Sequence, residues 1–182
     1  ETVLVQGGAG GVGIACIQLA KQAGATVYAT ASSDARLACL ADFGLDAGIN
    51  YATQNLTDEV MRLTERKGVN LVVDPVGGNV LEKSIASAGR RGRIVSVGTA
   101  SRDFSKIDIG GLAPGNKSLT GVFLGAEVAT ARAQEMIRDL LAQMASASLS
   151  MLIDRTYPLA EAAAAHAYIE SRQAVGRVIL IP

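Results

Sequence analysis

"VLVQGGAGGVG", residues 3–13, runs a short apolar stretch into glycines at positions 7, 8, 10, 11 and 13. A folded chain tolerates that much backbone freedom only where a tight turn or a close approach to backbone requires it. The spacing Gly8-x-Gly10-x-x-Gly13 follows a strand-like run and precedes a helix-like one, the context a dinucleotide-binding turn needs. An early glycine allows the turn out of the strand. Gly10 removes a Cβ so that a pyrophosphate can reach the backbone, and Gly13 lets helix and strand pack closely. Gly11, Val12 and Gly13 open the helix, whose free N–H groups and positive dipole end face the phosphates.

Downstream, strand-like and helix-like runs alternate. Strands are expected at 2–6, 26–31, 47–51, 69–74, 93–97 and 119–124, and helices at 11–24, 34–43, 56–67, 80–88 and 127–145. This alternation predicts an α/β fold, a parallel sheet with helices on both faces, and with the glycine turn after the first strand it reads as a Rossmann-type doubly wound sheet in strand order 3-2-1-4-5-6. Residues 98–117 form a long irregular stretch rich in Gly, Ser and Asp, of the kind that usually carries function. Strand-like runs at 153–157 and 178–181 flank a helix at 159–172 and do not continue that sheet. The expected division is a cofactor domain over 1–150 and a C-terminal segment over 151–182.

Composition narrows the function. The 182 residues are 49% hydrophobic, enough for one sizeable core. Seventeen basic and seventeen acidic residues balance, with no basic stripe, so a nucleic-acid partner is not expected. No apolar run is long enough for a membrane span. The chain begins at Glu1 rather than Met, so its natural start is expected to lie upstream. Two cysteines, Cys16 and Cys39, lie in helix-like runs, and there is one histidine; neither a disulfide nor a metal site is patterned, and a reducing cytoplasm fits. The chain lacks a G-x-S-x-G elbow, a Walker A lysine and a Tyr-x-x-x-Lys pair, since Arg172 follows Tyr168 where that lysine would stand.

The second strand's end sets the nucleotide. An NAD site places an acid there for the ribose hydroxyls. "YATASSDAR" instead offers Ser32 and Ser33, with Arg36 a helical turn later, a set suited to a 2′-phosphate and hence to NADP. The competing readings are Arg36 as a solvated helix residue and Asp34 as a hydroxyl acceptor rather than a helix-start acid. Asp74 reads as a loop cap before Pro75 or, less favoured, a catalytic acid. His166 reads as a surface or packing residue.

"VLVQGGAGGVGIACIQLAK", "GINYATQN", "VNLVVDPVGG", "RRGRIVSVGTAS", "YPLAEAAAAHAYIESR" and "GRVILIP" together resemble the zinc-independent medium-chain dehydrogenase/reductases, specifically the quinone oxidoreductase and zeta-crystallin group. The resemblance spans essentially the whole chain. It implies NADPH as cofactor, without zinc, and a small-molecule quinone or enone as electron acceptor. It implies that Ser32, Ser33, Arg36, Tyr51 and Arg172 hold the 2′-phosphate, while Val76, Gly98, Phe123 and Leu124 line the nicotinamide. Many such proteins carry lysine where this chain has Arg36. The resemblance also implies a GroES-like substrate domain, absent from these residues, to which the last strands would return. A homodimer is expected through the apolar edge strand that starts at Leu119 and ends at Leu124. Competing assignments are the enoyl reductase of a polyketide or fatty acid synthase, a non-catalytic NADPH-binding module and, more distantly, a methyltransferase.

Overall fold

A computed structural model describes residues 1–182. Its main sheet is built from β1 (Thr2–Val5), β2 (Thr26–Ala31), β3 (Ala47–Asn50), β4 (Val69–Asp74), β5 (Ala88–Ser96) and β6 (Ser118–Gly121). The order is 3-2-1-4-5-6 and every pairing is parallel. Helices α1 (Gly11–Gln22), α2 (Asp34–Ala38), α3 (Leu56–Leu63) and α4 (Asn79–Ser87) make the crossovers. After β6 come a one-turn α5 (Leu124–Glu127), the long α6 (Ala131–Ala145), β7 (Ile153–Pro158), α7 (Ala162–Glu170) and β8 (Arg177–Ile181).

The strands alternate between two cores, as period-two side chains must when both faces are covered. Val3, Val5, Val27 and Ala29 pack with Ile14, Ile17 and Leu40 on one face. Leu4, Tyr28, Val72 and Ile94 pack with Val60, Leu81 and Ile85 on the other. All six carboxyl ends therefore share one edge, where the glycine loop lies. No helix is long and apolar enough to cross a membrane.

Several expected elements end early, each for a local reason. The helix expected over 34–43 stops at Ala38, and a 3-10 turn over Ala41–Phe43 follows, which brings Leu40 into the core at 0% exposure. The helix expected over 56–67 ends at Leu63. There the Thr64 hydroxyl donates to the Val60 carbonyl (2.7 Å) and accepts from the Gly68 N–H (2.9 Å), and Glu65 and Arg66 turn left-handed. The helix expected over 127–145 is broken before Thr130, whose hydroxyl caps α6 by accepting from the Ala133 N–H (3.2 Å). The strand expected over 119–124 ends at Gly121, and Phe123 is already the cap residue of α5. β5, by contrast, starts five residues earlier than expected, with a register shift opposite Val69–Leu71. Part of the irregular 98–117 stretch is a 3-10 turn, Gly110–Gly115.

The last segment forms its own two-stranded parallel sheet, β7 with β8. It is fastened to α1 from outside. Gln18 exchanges two hydrogen bonds with the Ser150 backbone, Nε2 to O and N to Oε1, both 2.9 Å. A single parallel bridge joins Gly10 to Gly176, and the Gly176 N–H donates to the Ala9 carbonyl at 2.7 Å.

Candidate functional site

The turn after β1 is held by three glycines with three different physical reasons. Gly7, at φ +62°, makes the left-handed step out of the strand. A Cβ on Gly8 would lie 2.7 Å from the Ala29 Cβ, so this residue is small to let the loop sit on β2. A Cβ on Gly13 would lie 2.5 Å from the Gly7 carbonyl oxygen, so α1 can approach the loop only without one. At Gly10 the nearest atom to a Cβ is the same oxygen, 3.4 Å away, an ordinary contact. The space there is left open toward whatever faces the loop. Gly11 differs again: the Arg177 side chain lies directly over it, and its guanidinium would overlap a Cβ at that position. Val12, in the first turn of α1, is 46% exposed. That first turn carries no acidic residue, so its free N–H groups are unopposed.

A cleft of about 720 Å³ opens beside this turn at the carboxyl edge of the sheet. Gln6, Gly7 and Thr30 form its floor. Tyr51 and the start of α3 (Asn55 to Asp58) make one wall, and Val76 with Asn79, Val80 and Lys83 of α4 make the other. Ala100, Ser101 and Arg172 complete the rim. The cleft's charged residues are Lys83, Arg172 and Asp58, so cations predominate.

The floor is a buried chain of hydrogen bonds across three strands. The Gly7 N–H donates to the Thr30 hydroxyl (3.0 Å), which donates to Gln6 Oε1 (2.9 Å). Gln6 Nε2 donates to the Ser84 hydroxyl (3.0 Å), which donates to Asp74 Oδ2 (2.8 Å). Asp74 Oδ1 accepts from the N–H groups of Val76 (2.8 Å) and Gly77 (2.9 Å). Asp74, Ser84, Gln6 and Thr30 are all at most 2% exposed. Asp74 is thus a loop cap whose two carboxylate oxygens both accept hydrogen bonds within the fold. The adjoining loop is pinned in turn, since Ala100 and Ser101 donate to the carbonyls of Pro75 (3.0 Å) and Val76 (2.9 Å). At the start of α4, Asp103 accepts from the Asn79 N–H. The Ser105 hydroxyl and N–H, with that bond, hold its carboxyl below the usual carboxylate range.

Of the residues picked out in the sequence, Tyr51, Val76 and Arg172 line the cleft together, next to the glycine turn. Ser33 caps α2, its hydroxyl accepting from the Arg36 N–H. Asp34 accepts from Asn50 Nδ2 at 3.0 Å. Ser32 is half-buried between β2 and α2, and Arg36 reaches the backbone of Arg172 and Ala174. Gly98 packs on the Pro75 carbonyl, where a Cβ would be 3.2 Å away. Phe123 and Leu124 are 76% and 60% exposed beyond the end of β6. His166 is exposed on α7, away from the cleft. The sequence reading placed Thr30 at the end of the second strand but missed Gln6, Ser84 and Lys83. The one signal for Gln6 was a polar residue closing the apolar run "VLV".

Zinc has no seat in these residues. Cys16 is half-buried in α1, where desolvation pushes its thiol up, and no three His, Cys, Asp or Glu side chains converge. A dinucleotide does fit: the open Cβ position at Gly10, the unopposed start of α1 and the cationic cleft suit a pyrophosphate with an adenosine end.

A family profile described as "Zinc-binding dehydrogenase" matches residues 11–146. The chain is 32% identical, along its full length, to a 2-haloacrylate reductase of a Burkholderia species and to a quinone oxidoreductase of Pseudomonas aeruginosa. It covers 56% and 57% of those proteins, so it spans little more than half the length of the curated relatives it matches. It is 27% identical over 99% of its length to a phenolphthiocerol/phthiocerol polyketide synthase of Mycobacterium tuberculosis, covering 8% of that protein. Among solved structures, Escherichia coli quinone oxidoreductase complexed with NADPH superposes with a TM-score of 0.91 at 31% identity, over all of this chain and 57% of the other.

Proposed function

The chain belongs to the zinc-binding dehydrogenase family, and from that premise we propose that it is the NADPH-binding part of an oxidoreductase that passes a hydride to a quinone or another carbonyl-conjugated acceptor. One observation carries the reading: a glycine turn with an open Cβ position at Gly10 leads into a cleft rimmed by Arg172, and no acid stands at the end of β2. When bound, NADPH supplies the hydride. The protein's part is to bind and orient it.

The first turn of α1 faces the pyrophosphate with N–H groups and a dipole. Arg172, Tyr51, Ser32, Ser33 and Arg36 make up the 2′-phosphate end. A carboxylate at the last residue of β2 would repel that phosphate; Ala31 stands there, and Asp34, three residues on, accepts from Asn50, which favours NADPH over NADH. Val76, Gly98, Phe123 and Leu124 are assigned to the nicotinamide end. We assign residues 1–150 to the cofactor domain and 151–182 to a segment that packs on a separate substrate domain. That domain supplies the second wall of the cleft, and the residues of this chain offer zinc no ligand set.

Hydride transfer needs the acceptor held at contact distance with water excluded. The test is turnover of one quinone at saturating NADPH by this chain and by the longest polypeptide its gene encodes. The chain alone turns over less than about one tenth as fast, because contact-distance alignment of the acceptor is lost. A rate within tenfold would refute the two-walled cleft.

The polyketide synthase relative favours a second reading, an enoyl reductase acting on a carrier-bound thioester. Faster turnover of an enoyl thioester than of a quinone, in a polypeptide that also encodes a carrier domain, would establish it. Tight NADPH binding with no turnover of either acceptor would instead mark a non-catalytic binding module.

We also propose that two copies pair along β6. It is the outer strand of the sheet and is followed by exposed Val122, Phe123 and Leu124. An unpaired edge of this kind is a template for another strand. Light scattering at tens of micromolar is expected to give the mass of a dimer, and a monomer would refute the pairing.

A further inference from the structure

The buried chain of hydrogen bonds under the cleft has a direction, and both of its ends are fixed. At one end the Asp74 carboxylate only accepts: Oδ1 takes the N–H groups of Val76 and Gly77, and Oδ2 takes the Ser84 hydroxyl at 2.8 Å. At the other end the Gly7 N–H only donates, to the Thr30 hydroxyl at 3.0 Å. A hydroxyl has a single proton. Ser84 gives its proton to Asp74, so toward Gln6 it can only accept. Gln6 therefore turns Nε2 to Ser84 (3.0 Å) and Oε1 to Thr30. Thr30 gives its proton to that oxygen (2.9 Å), which leaves its lone pairs for Gly7. We propose that Asp74 and Ser84, neither of which lines the cleft, are positioning residues for the cofactor: through this one-way chain they make the Thr30 hydroxyl the acceptor that holds the first step of the glycine turn. The proposal rests on the dinucleotide reading above.

That step governs the rest of the turn. Gly7 lies at φ +62° and has no side chain of its own to hold it there. Thr30 grips it from both sides. Its hydroxyl takes the Gly7 N–H, and its backbone carbonyl takes the Gly8 N–H at 2.8 Å. The two planar peptides that flank Gly7 are thereby fixed, and with them its two soft dihedrals. The Gly7 carbonyl in turn accepts from the Gly10 N–H at 3.0 Å and is the oxygen on which Gly13 packs. The place of Gly10 and the start of α1 thus follow from how Gly7 is held. Thr30, Gln6, Ser84 and Asp74 are at most 2% exposed, so a lost partner leaves its neighbour unpaired rather than wet.

Asp74→Asn reverses the chain without changing its size. Its amide oxygen still serves the N–H groups of Val76 and Gly77, so its NH2 group faces Ser84. Ser84 must then accept from it and give its proton to Gln6. The Gln6 amide turns over and presents Nε2 to Thr30. Thr30 now accepts from both Gln6 and Gly7, and its own proton has no acceptor. The charge at Asp74 is thus felt at Gly7, on the far side of β1.

The test combines amide hydrogen exchange of the cofactor-free chain with NADPH and NADH affinities of Asp74→Asn, Thr30→Val, Thr30→Ser and the double variant Asp74→Asn/Thr30→Val, each first shown to be folded by its thermal melt. Asp74→Asn and Thr30→Val are expected to speed exchange at Gly7 and to leave Gly8, whose partner is backbone, unchanged. Both are expected to weaken NADPH and NADH by the same factor, about fivefold or more, the scale of one hydrogen bond. The factors are equal because both dinucleotides place the same pyrophosphate on the turn. Thr30→Ser keeps the hydroxyl and is expected to bind within about threefold of the parent, and the double variant within about threefold of the poorer single one, because both changes act through one contact. Parental affinity in folded Asp74→Asn, unaltered exchange at Gly7, or losses that multiply in the double variant would overturn the proposal. Failure of the dinucleotide reading itself looks different: the unmodified chain would bind neither cofactor, while exchange at Gly7 would still respond to Asp74→Asn.

Discussion

Gly10 and Gly13 differ by three positions and by what surrounds a Cβ at each. At Gly10 a methyl group meets only the Gly7 carbonyl at 3.4 Å, and the backbone is extended at φ −84°, which any residue adopts. At Gly13 it would meet the Gly7 oxygen and the Gly8 Cα at 2.5 and 2.6 Å, both of them backbone. Gly13→Ala is therefore expected to lower stability by about 1–3 kcal/mol, the range for overpacking. Gly10→Ala is expected to fold within about 0.5 kcal/mol of the parent, as a substitution without a clash should, and to lose NADPH. Thermal melts and cofactor titration of both variants check this; equal stability losses would refute the division of roles. The close packing at Gly13 was legible in the sequence from the G-x-G-x-x-G spacing after a strand, and the opening at Gly10 is the geometry that the proposed pyrophosphate needs. The early turn was legible as a glycine step, but the positive φ falls on Gly7, with Gly8 packed on Ala29. Arg36 was legible as a cation one turn after β2 but not as a residue facing backbone, because its partners lie more than 130 positions away.

Among the elements, the ends of β1, β2 and β4 are locked by side chains rather than by the sheet ladder alone. Ser84 of α4 stands at the middle of that lock, between Gln6 and Asp74. Ser84→Ala leaves a buried amide donor of Gln6 and one oxygen of Asp74 without partners. It is expected to cost about 1–3 kcal/mol, the range for an orphaned buried polar group. Asp74→Ala removes the acceptor of two loop N–H groups as well and is expected to cost more. Urea unfolding of both variants measures this, and a Ser84→Ala loss under about 0.5 kcal/mol, the size of an ordinary surface substitution, would contradict it. The sequence marked Asp74 as a loop cap because an Asp before Pro-x-Gly-Gly has its own backbone to serve. It could not mark Ser84, whose partners are set by how α4 crosses the sheet. The element boundaries misjudged from the sequence, at Leu63 and before Thr130, share one cause: a threonine hydroxyl bonding backbone outcompetes helix continuation.

For the whole molecule, alternation implied a parallel sheet with helices on both faces, and the order 3-2-1-4-5-6 came with the dinucleotide-type glycine turn after the first strand. The C-terminal segment was legible only as something that does not extend the sheet. Its docking on α1, on the glycine turn and on Arg36 depends on contacts between distant parts of the chain, which no local pattern encodes. That docking accompanies the placement of Arg172 at the rim of the cleft. The proposed function requires above all that this chain select a dinucleotide by its 2′-phosphate. The direct measurement is a fluorescence titration of the chain with NADPH and with NADH at one fixed ionic strength. One charge-assisted contact is worth roughly 1.5–3 kcal/mol, so NADPH is predicted to bind about 10- to 100-fold more tightly. Equal affinity for the two cofactors would contradict the account.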